Sequence, residues 1–157
     1  MKIRYELALD IQEKVNEIAA LLFPHIKLDS VVCLRSYGSS SRGTVARCHA
    51  LGKAMQLALG RKGFYVIEVI SKRFDRLSEI DKIKTLIHEL MHIPKSFGGG
   101  FIHHDQVCEE NVDVEFQRYI NMKSLDKSIF LDNKLNGKDD KEKEFFIIKK
   151  KRRFFEW

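Results

Sequence analysis

Residues 78–94 narrow the fold of this chain more than any other segment. Ile80, Ile83, Leu86, Ile87, Leu90 and Met91 recur at helical spacing and predict one apolar stripe along a helix. Ser78 has the character of an N-cap. Asp81, three residues later, completes a capping-box pattern with Asp in place of Glu or Gln. Glu79 and Asp81 also suit the positive end of the helix dipole. Pro94 lacks a backbone N–H and its ring blocks continuation, so the helix is predicted to end at about Ile93.

Inside this helix the run His88-Glu89-Leu90-Met91-His92 carries two imidazoles four residues apart. Side chains at that spacing lie one above the other on the same face. They fall beside the centre of the apolar stripe rather than on it. Two imidazoles so placed suit one Zn²⁺, and Glu89, next to the first, can hold the water that such a metal activates. Glu89 is also the only charge between the histidines, as a ligand-bearing helix in a low-dielectric setting requires. These flanks favour a metal helix over a partly buried helix with two incidental histidines.

A catalytic zinc takes three protein ligands and leaves one position for water. The segment after the helix runs Pro94-Lys95-Ser96-Phe97-Gly98-Gly99-Gly100-Phe101-Ile102-His103-His104-Asp105. Its glycines free the backbone to turn back sharply. His104 is the expected third ligand, placed where it opens the next helix; His103 is the next candidate. A carboxylate further on, Glu109, Glu110 or Glu115, is the remaining option. The chemistry expected of such a site is peptide-bond hydrolysis. Zinc lowers the pKa of its water towards about 7, Glu89 acts as general base, and the metal stabilises the developing oxyanion.

The run Thr85-Leu86-Ile87-His88-Glu89-Leu90-Met91-His92-Ile93-Pro94, followed by Phe97-Gly98-Gly99-Gly100 and His104, resembles the small zincin-like metallopeptidases of archaea and phages. Upstream, Arg35-Ser36-Tyr37-Gly38-Ser39, Ser41-Arg42, Ala46-Arg47, Tyr65 to Val69 and Phe74-Asp75 fit the same pattern, so that the resemblance covers roughly Ser30 to Tyr119. It implies an α+β, zincin-like fold, with a short mixed or antiparallel sheet, an active-site helix and flanking helices. It places the family's third histidine on His104. His103 departs from the family pattern. More distantly the layout is similar to SprT-type proteases, some of which degrade protein crosslinked to DNA.

With 157 residues the chain is long enough for one sizeable core. We expect a metallopeptidase domain over residues 1–122 and a charged basic and aromatic tail over 123–157. No hydrophobic run approaches membrane-spanning length, and the N-terminus lacks the apolar segment of a signal peptide, so a cytoplasmic protein is expected. Cys33, Cys48 and Cys108 lack zinc-site spacing and read as small buried thiols, although Cys33 and Cys48 would face each other if their strands paired. The net charge of +6 raises nucleic acid as a partner. Much of the excess sits in Lys149-Lys150-Lys151-Arg152-Arg153, among Phe145, Phe146, Phe154, Phe155 and Trp157. A solvated or docked tail is the favoured reading of that block.

The remaining pattern predicts a helix from Tyr5 to Phe23, strands at Val31–Arg35, Thr44–Ala50 and Gly63–Ile70, and a short helix from Leu51 to Leu59 closed by Gly60. A further helix is expected from Asp105 to Tyr119, with weak patterning after Asn121. The strand at Phe64–Ile70, or one beside it, is the candidate edge for pairing with a substrate backbone. Arg35, Arg42 and Arg47 are candidates for substrate or oxyanion contact or for structural ion pairs, and Tyr37 and Tyr65 are candidate donors. His25 and His49 read as packed or surface residues. Two functional classes follow. One is a zinc peptidase cleaving peptide or protein. The other is a nucleic-acid-associated protein with a structural zinc, with a protease acting on DNA-bound protein between them.

Overall fold

The computed structural model describes residues 2–39 and 42–136, with side chains as far as Ile129. The chain divides into two compact units, Met1–Gln117 and Arg118–Trp157. The elements run β1 (Arg4–Leu7), α1 (Leu9–Leu22), a 3-10 turn (Leu28–Ser30), β2 (Val31–Tyr37) and β3 (Ala46–Ala50). They continue with α2 (Lys53–Ala58), β4 (Tyr65–Ile70), α3 (Ser71–Phe74), α4 (Glu79–Met91) and α5 (Glu109–Asn136). The protein is therefore α+β, with a small sheet and several helices.

The sheet has the order β1-β2-β4-β3. β2 and β4 are parallel, whereas β1 pairs antiparallel with β2, and β3 with β4, so the sheet is mixed. β4 is paired on both sides. Its dense apolar sequence follows from that position: Tyr65, Ile67 and Val69 are each 0% exposed. The candidate edge at Phe64–Ile70 is thus an interior strand, and the neighbouring β3 is the edge. Cys33 and Cys48 both register with Ile67, one on each side of it, so β4 separates them. Cys33, Cys48 and Cys108 are free thiols.

α1 packs on β2 and α4 on β3. Ile11, Val15, Ile18 and Leu22 of α1 and Leu86, Ile87 and Leu90 of α4 are buried. Each fully buried side chain of this size contributes about 2 kcal/mol. Ile80, expected on the same stripe, is 55% exposed, because the first turn of α4 projects beyond the core. Ser78 caps α4 as expected, accepting a hydrogen bond from the Asp81 N–H at 3.1 Å. Among the described residues, no helix is long and apolar enough to cross a membrane.

Three expectations need correction. Tyr5 to Leu7, expected to be helical, belong to a strand paired with residues further along the chain, Tyr5 opposite Ser36 and Leu7 opposite Leu34. The helix starts only at Leu9, after the Ala8 N–H has bonded the Cys33 carbonyl at 3.0 Å. The helix expected from Asp105 begins at Glu109 instead. The N–H groups of Gln106 and Val107 both turn back onto the His103 carbonyl, at 3.1 and 3.2 Å, and His104 sits in that turn. α5 also continues well past Asn121, with Met122 and Ile129 buried along it. The basic and aromatic block at 145–157 lies outside the described residues.

Candidate metal centre

α4 positions the first two histidines, and its ending matters as much as its pitch. His92 is the C-cap, and the N–H groups of His92 and Ile93 bond Glu89 and Leu90 in a tightened last turn at 3.3 and 3.1 Å. The His92 carbonyl accepts the Ile102 N–H at 2.9 Å, while His92 Nδ1 lies 2.6 Å from the Ile102 carbonyl. A carbonyl only accepts, so Nδ1 carries the proton and Nε2 keeps its lone pair. Phe101 stacks on the same ring at 4.4 Å and 12°. His92 is 1% exposed, and its ring is held from two sides.

The loop between α4 and α5 brings His104 back. The ring centroids of His88, His92 and His104 lie 4.9, 5.4 and 4.6 Å apart for the pairs 88–92, 88–104 and 92–104. One nitrogen from each ring lies within 4.8 Å of the others. His103 does not belong to this group; its ring packs edge-on near Phe101 at 5.6 Å. Among the described residues, no downstream carboxylate joins this group of three.

The loop is braced by residues that the sequence did not single out for this role. The Tyr65 hydroxyl donates to the Gly100 carbonyl and accepts the Gly99 N–H, each at 2.9 Å. Gln56 Nε2 donates to the Leu51 and Gly98 carbonyls at 2.7 and 2.9 Å. Gly99 has φ +85°, and a Cβ there would run into Gln56 and the Leu51 carbonyl. Phe97, also at positive φ (48°), is buried and packs on Tyr65 at 4.9 Å. The strain at Phe97 is held by that burial. No local sequence signal marks Gln56, because the loop carbonyl it serves lies 42 residues away.

Electrostatics favour neutral imidazoles here. Burial, together with the charges of His92 and His104, pushes His88 down to about 4. Burial also lowers His92, against the opposing effect of its bond to Ile102. A ring that resists protonation keeps its lone pair for a metal. Glu89 is 7% exposed, and burial raises its carboxyl to about 7, partly offset by the Cys48 N–H that faces it. Cys48 and Cys33 are both pushed up to about 12 by burial, which keeps them as inert thiols.

His88, Glu89 and His104 open onto a cleft of about 520 Å³, whose opposite wall includes Thr44, Val45 and Ala46 at the start of β3. The other sequence candidates lie apart from it. Arg35 bridges Asp10 and Asp75 at 2.5 and 2.6 Å and ties the sheet to α1 and to the turn after α3. Arg47 and His49 flank the buried carboxylate of Glu68 at 3.6 and 2.7 Å. Tyr37 lies under Arg4 at 4.8 Å, and Arg42 is exposed. His25 Nε2 lies 3.1 Å from the Ile93 carbonyl, just beyond the metal helix.

A family model described as "Putative phage metallopeptidase" matches residues 3–127. Comparisons with curated proteins and with solved structures gave no significant match. That family implies a metal-dependent hydrolase acting on peptide or protein, and the histidine group offers a place for its metal. Since the match spans well over half of its length, the chain belongs to this phage metallopeptidase family.

Proposed function

We propose that the protein is a zinc-dependent peptidase of zincin-like design, with His88, His92 and His104 as metal ligands and Glu89 as general base. The carrying observation is the convergence of three imidazole nitrogens within 4.8 Å beside a carboxylate that is 7% exposed. The fit to zinc rests on the donor set. Three neutral nitrogens suit zinc, whereas Mg²⁺ and Ca²⁺ demand oxygen. When bound, zinc would lower the pKa of a water towards about 7 and polarise the scissile carbonyl.

The chain's own groups do the rest. His92, clamped at Nδ1, presents Nε2 without a rotational search. A Glu89 carboxylate oxygen takes the proton of the attacking water and delivers it to the leaving amine nitrogen. Burial raises the metal-free carboxyl to about 7, and a cation beside it would favour the ionised form that a general base needs. β3 is an edge strand whose first residue, Ala46, lines the cleft, so that an extended substrate would pair there as an added strand.

The test is Glu89→Gln. Zinc content should be unchanged, while hydrolysis of an unfolded protein substrate should fall by about a hundredfold to ten-thousandfold. Hydrolysis at the wild-type rate by the zinc-loaded variant would refute Glu89 as base.

A further inference from the structure

We infer that a basic trough behind the glycine loop binds single-stranded nucleic acid. The trough has a volume of about 840 Å³ and lies away from the catalytic cleft. Lys27, Lys53, Arg61 and Lys62 line it, against Asp29 as the only acid, which leaves a local charge of four minus one, or +3. That is half of the whole chain's net +6.

The gathering of these cations is informative. Six lysines and arginines of the same unit are paired with acids, among them Arg35 on Asp10 and Asp75 and Lys84 on Asp113, while others, such as Lys72, Arg76 and Lys95, also carry no ion pair among the described residues; what sets the trough apart is that four cations face one space. Among the described residues, Lys27, Lys53, Arg61 and Lys62 form no ion pair. They come from three separate stretches of chain, so helical periodicity does not account for their gathering. Four like charges around one open trough repel one another, and an anion lying between them relieves that repulsion.

The shape and the neighbours select the anion. An open trough of this size exceeds what one phosphate fills and suits a continuous backbone. The Arg61 guanidinium carbon, on the trough wall, lies over the neighbouring Phe64 ring, 4.0 Å from its centroid, and a guanidinium held there offers a planar group on which an unpaired base can stack. Leu57, on the rim, is 86% exposed and adds apolar surface for bases. An acidic peptide would use the cations but not the stacking surface. The trough shares Phe97 and Gly98 with the loop that leads to His104, so a bound strand lies against the back of that loop. This binding does not depend on the peptidase reading, and its test reads binding alone.

The experiment is fluorescence anisotropy of a labelled oligothymidylate of about 20 nucleotides with the full chain, from about 50 to about 200 mM salt. The comparison is K53Q/R61Q/K62Q, three exposed positions whose melting curve serves as the folding control. The wild type should bind with a strongly salt-dependent Kd. The variant should bind at least tenfold more weakly at low salt, and its log–log salt slope should be shallower by about 2, from about 0.7 per cation removed. Phe64→Leu should weaken binding severalfold without changing that slope. An unchanged Kd and slope in the triple variant would place any binding elsewhere and overturn the proposal. So would absence of binding at low salt, tighter binding of duplex of the same length, or equal competition by polyglutamate.

Discussion

Tyr65→Phe isolates the brace on the glycine loop. The substitution removes one oxygen atom and leaves the ring, so the packing against Phe97 at 4.9 Å persists. The lost hydroxyl makes two hydrogen bonds, to the Gly100 carbonyl and from the Gly99 N–H, both at 2.9 Å. A hydrogen bond of this kind contributes about 1 kcal/mol net, and a buried group left unpaired costs more. Tyr65 is 0% exposed, so water does not readily replace the hydroxyl. The expected loss is about 2 to 3 kcal/mol. For a domain of this size that corresponds to a fall in melting temperature of roughly 6 to 12 °C. Thermal unfolding of the metal-free protein by circular dichroism measures it. Tyr37→Phe is the control: its hydroxyl makes no hydrogen bond among the described residues, and its melting temperature should stay within about a degree of wild type. A Tyr65→Phe shift no larger than that of the control would refute the bracing argument, because the loop would then be held by something other than this hydroxyl.

Three further outcomes are expected. His104→Ala should lose stoichiometric zinc by elemental analysis while His103→Ala retains it; the reverse result would exchange their roles. Gly99→Ala should destabilise by about 2 kcal/mol or more, because it combines a strained φ of +85° with a clash at Gln56 and Leu51, whereas Gly98→Ala, whose Cβ would meet only Ser96 Oγ at 3.8 Å, should be near neutral in the same melt. Burial alone would raise Glu68, but the nearby Ser36 hydroxyl, which falls outside good hydrogen-bond geometry, the bond to His49 and the charges of His49 and Arg47 outweigh it and hold the carboxyl below its usual value. A lowered folded pKa stabilises the protein above the unfolded carboxylate pKa, and that contribution is lost as pH falls through the folded value. The urea midpoint of wild type should therefore fall more steeply than that of Glu68→Gln as pH drops below about 4.5; parallel curves would remove Glu68 as the cause.

The parts of the fold legible in the sequence are those whose causes are local. The cap at Ser78, the stripe through Leu86, Ile87 and Leu90, and the stop before Pro94 act within one helix, and α4 stands close to where they put it. The strands around Cys33, Cys48 and Ile67 were legible from β-branched and alternating residues. β1 was not, because Tyr5 to Leu7 fit a helical period equally well and their strand state depends on the free edge of β2. The edge identity of β3 is likewise a property of the assembled sheet. The separation of His103 from His104 depends on Ile102 being tied to His92 and on Tyr65 and Gln56 holding the glycines. No residue near the two histidines announces these bonds.

The double tie between His92 and Ile102 carries a kinetic consequence. On the proposed ligand set, one ring is welded to its backbone and sealed beneath Phe101, and a second rides a rigid helix. The third stands on an exposed turn. Exchange of a bound ion would then proceed through a swing of the His104 turn, with the other two rings left as a standing half-site. The lifetime of the metal-bound form would accordingly be set by how tightly a short stretch of glycines is latched, far more than by the strength of the helix that bears the signature.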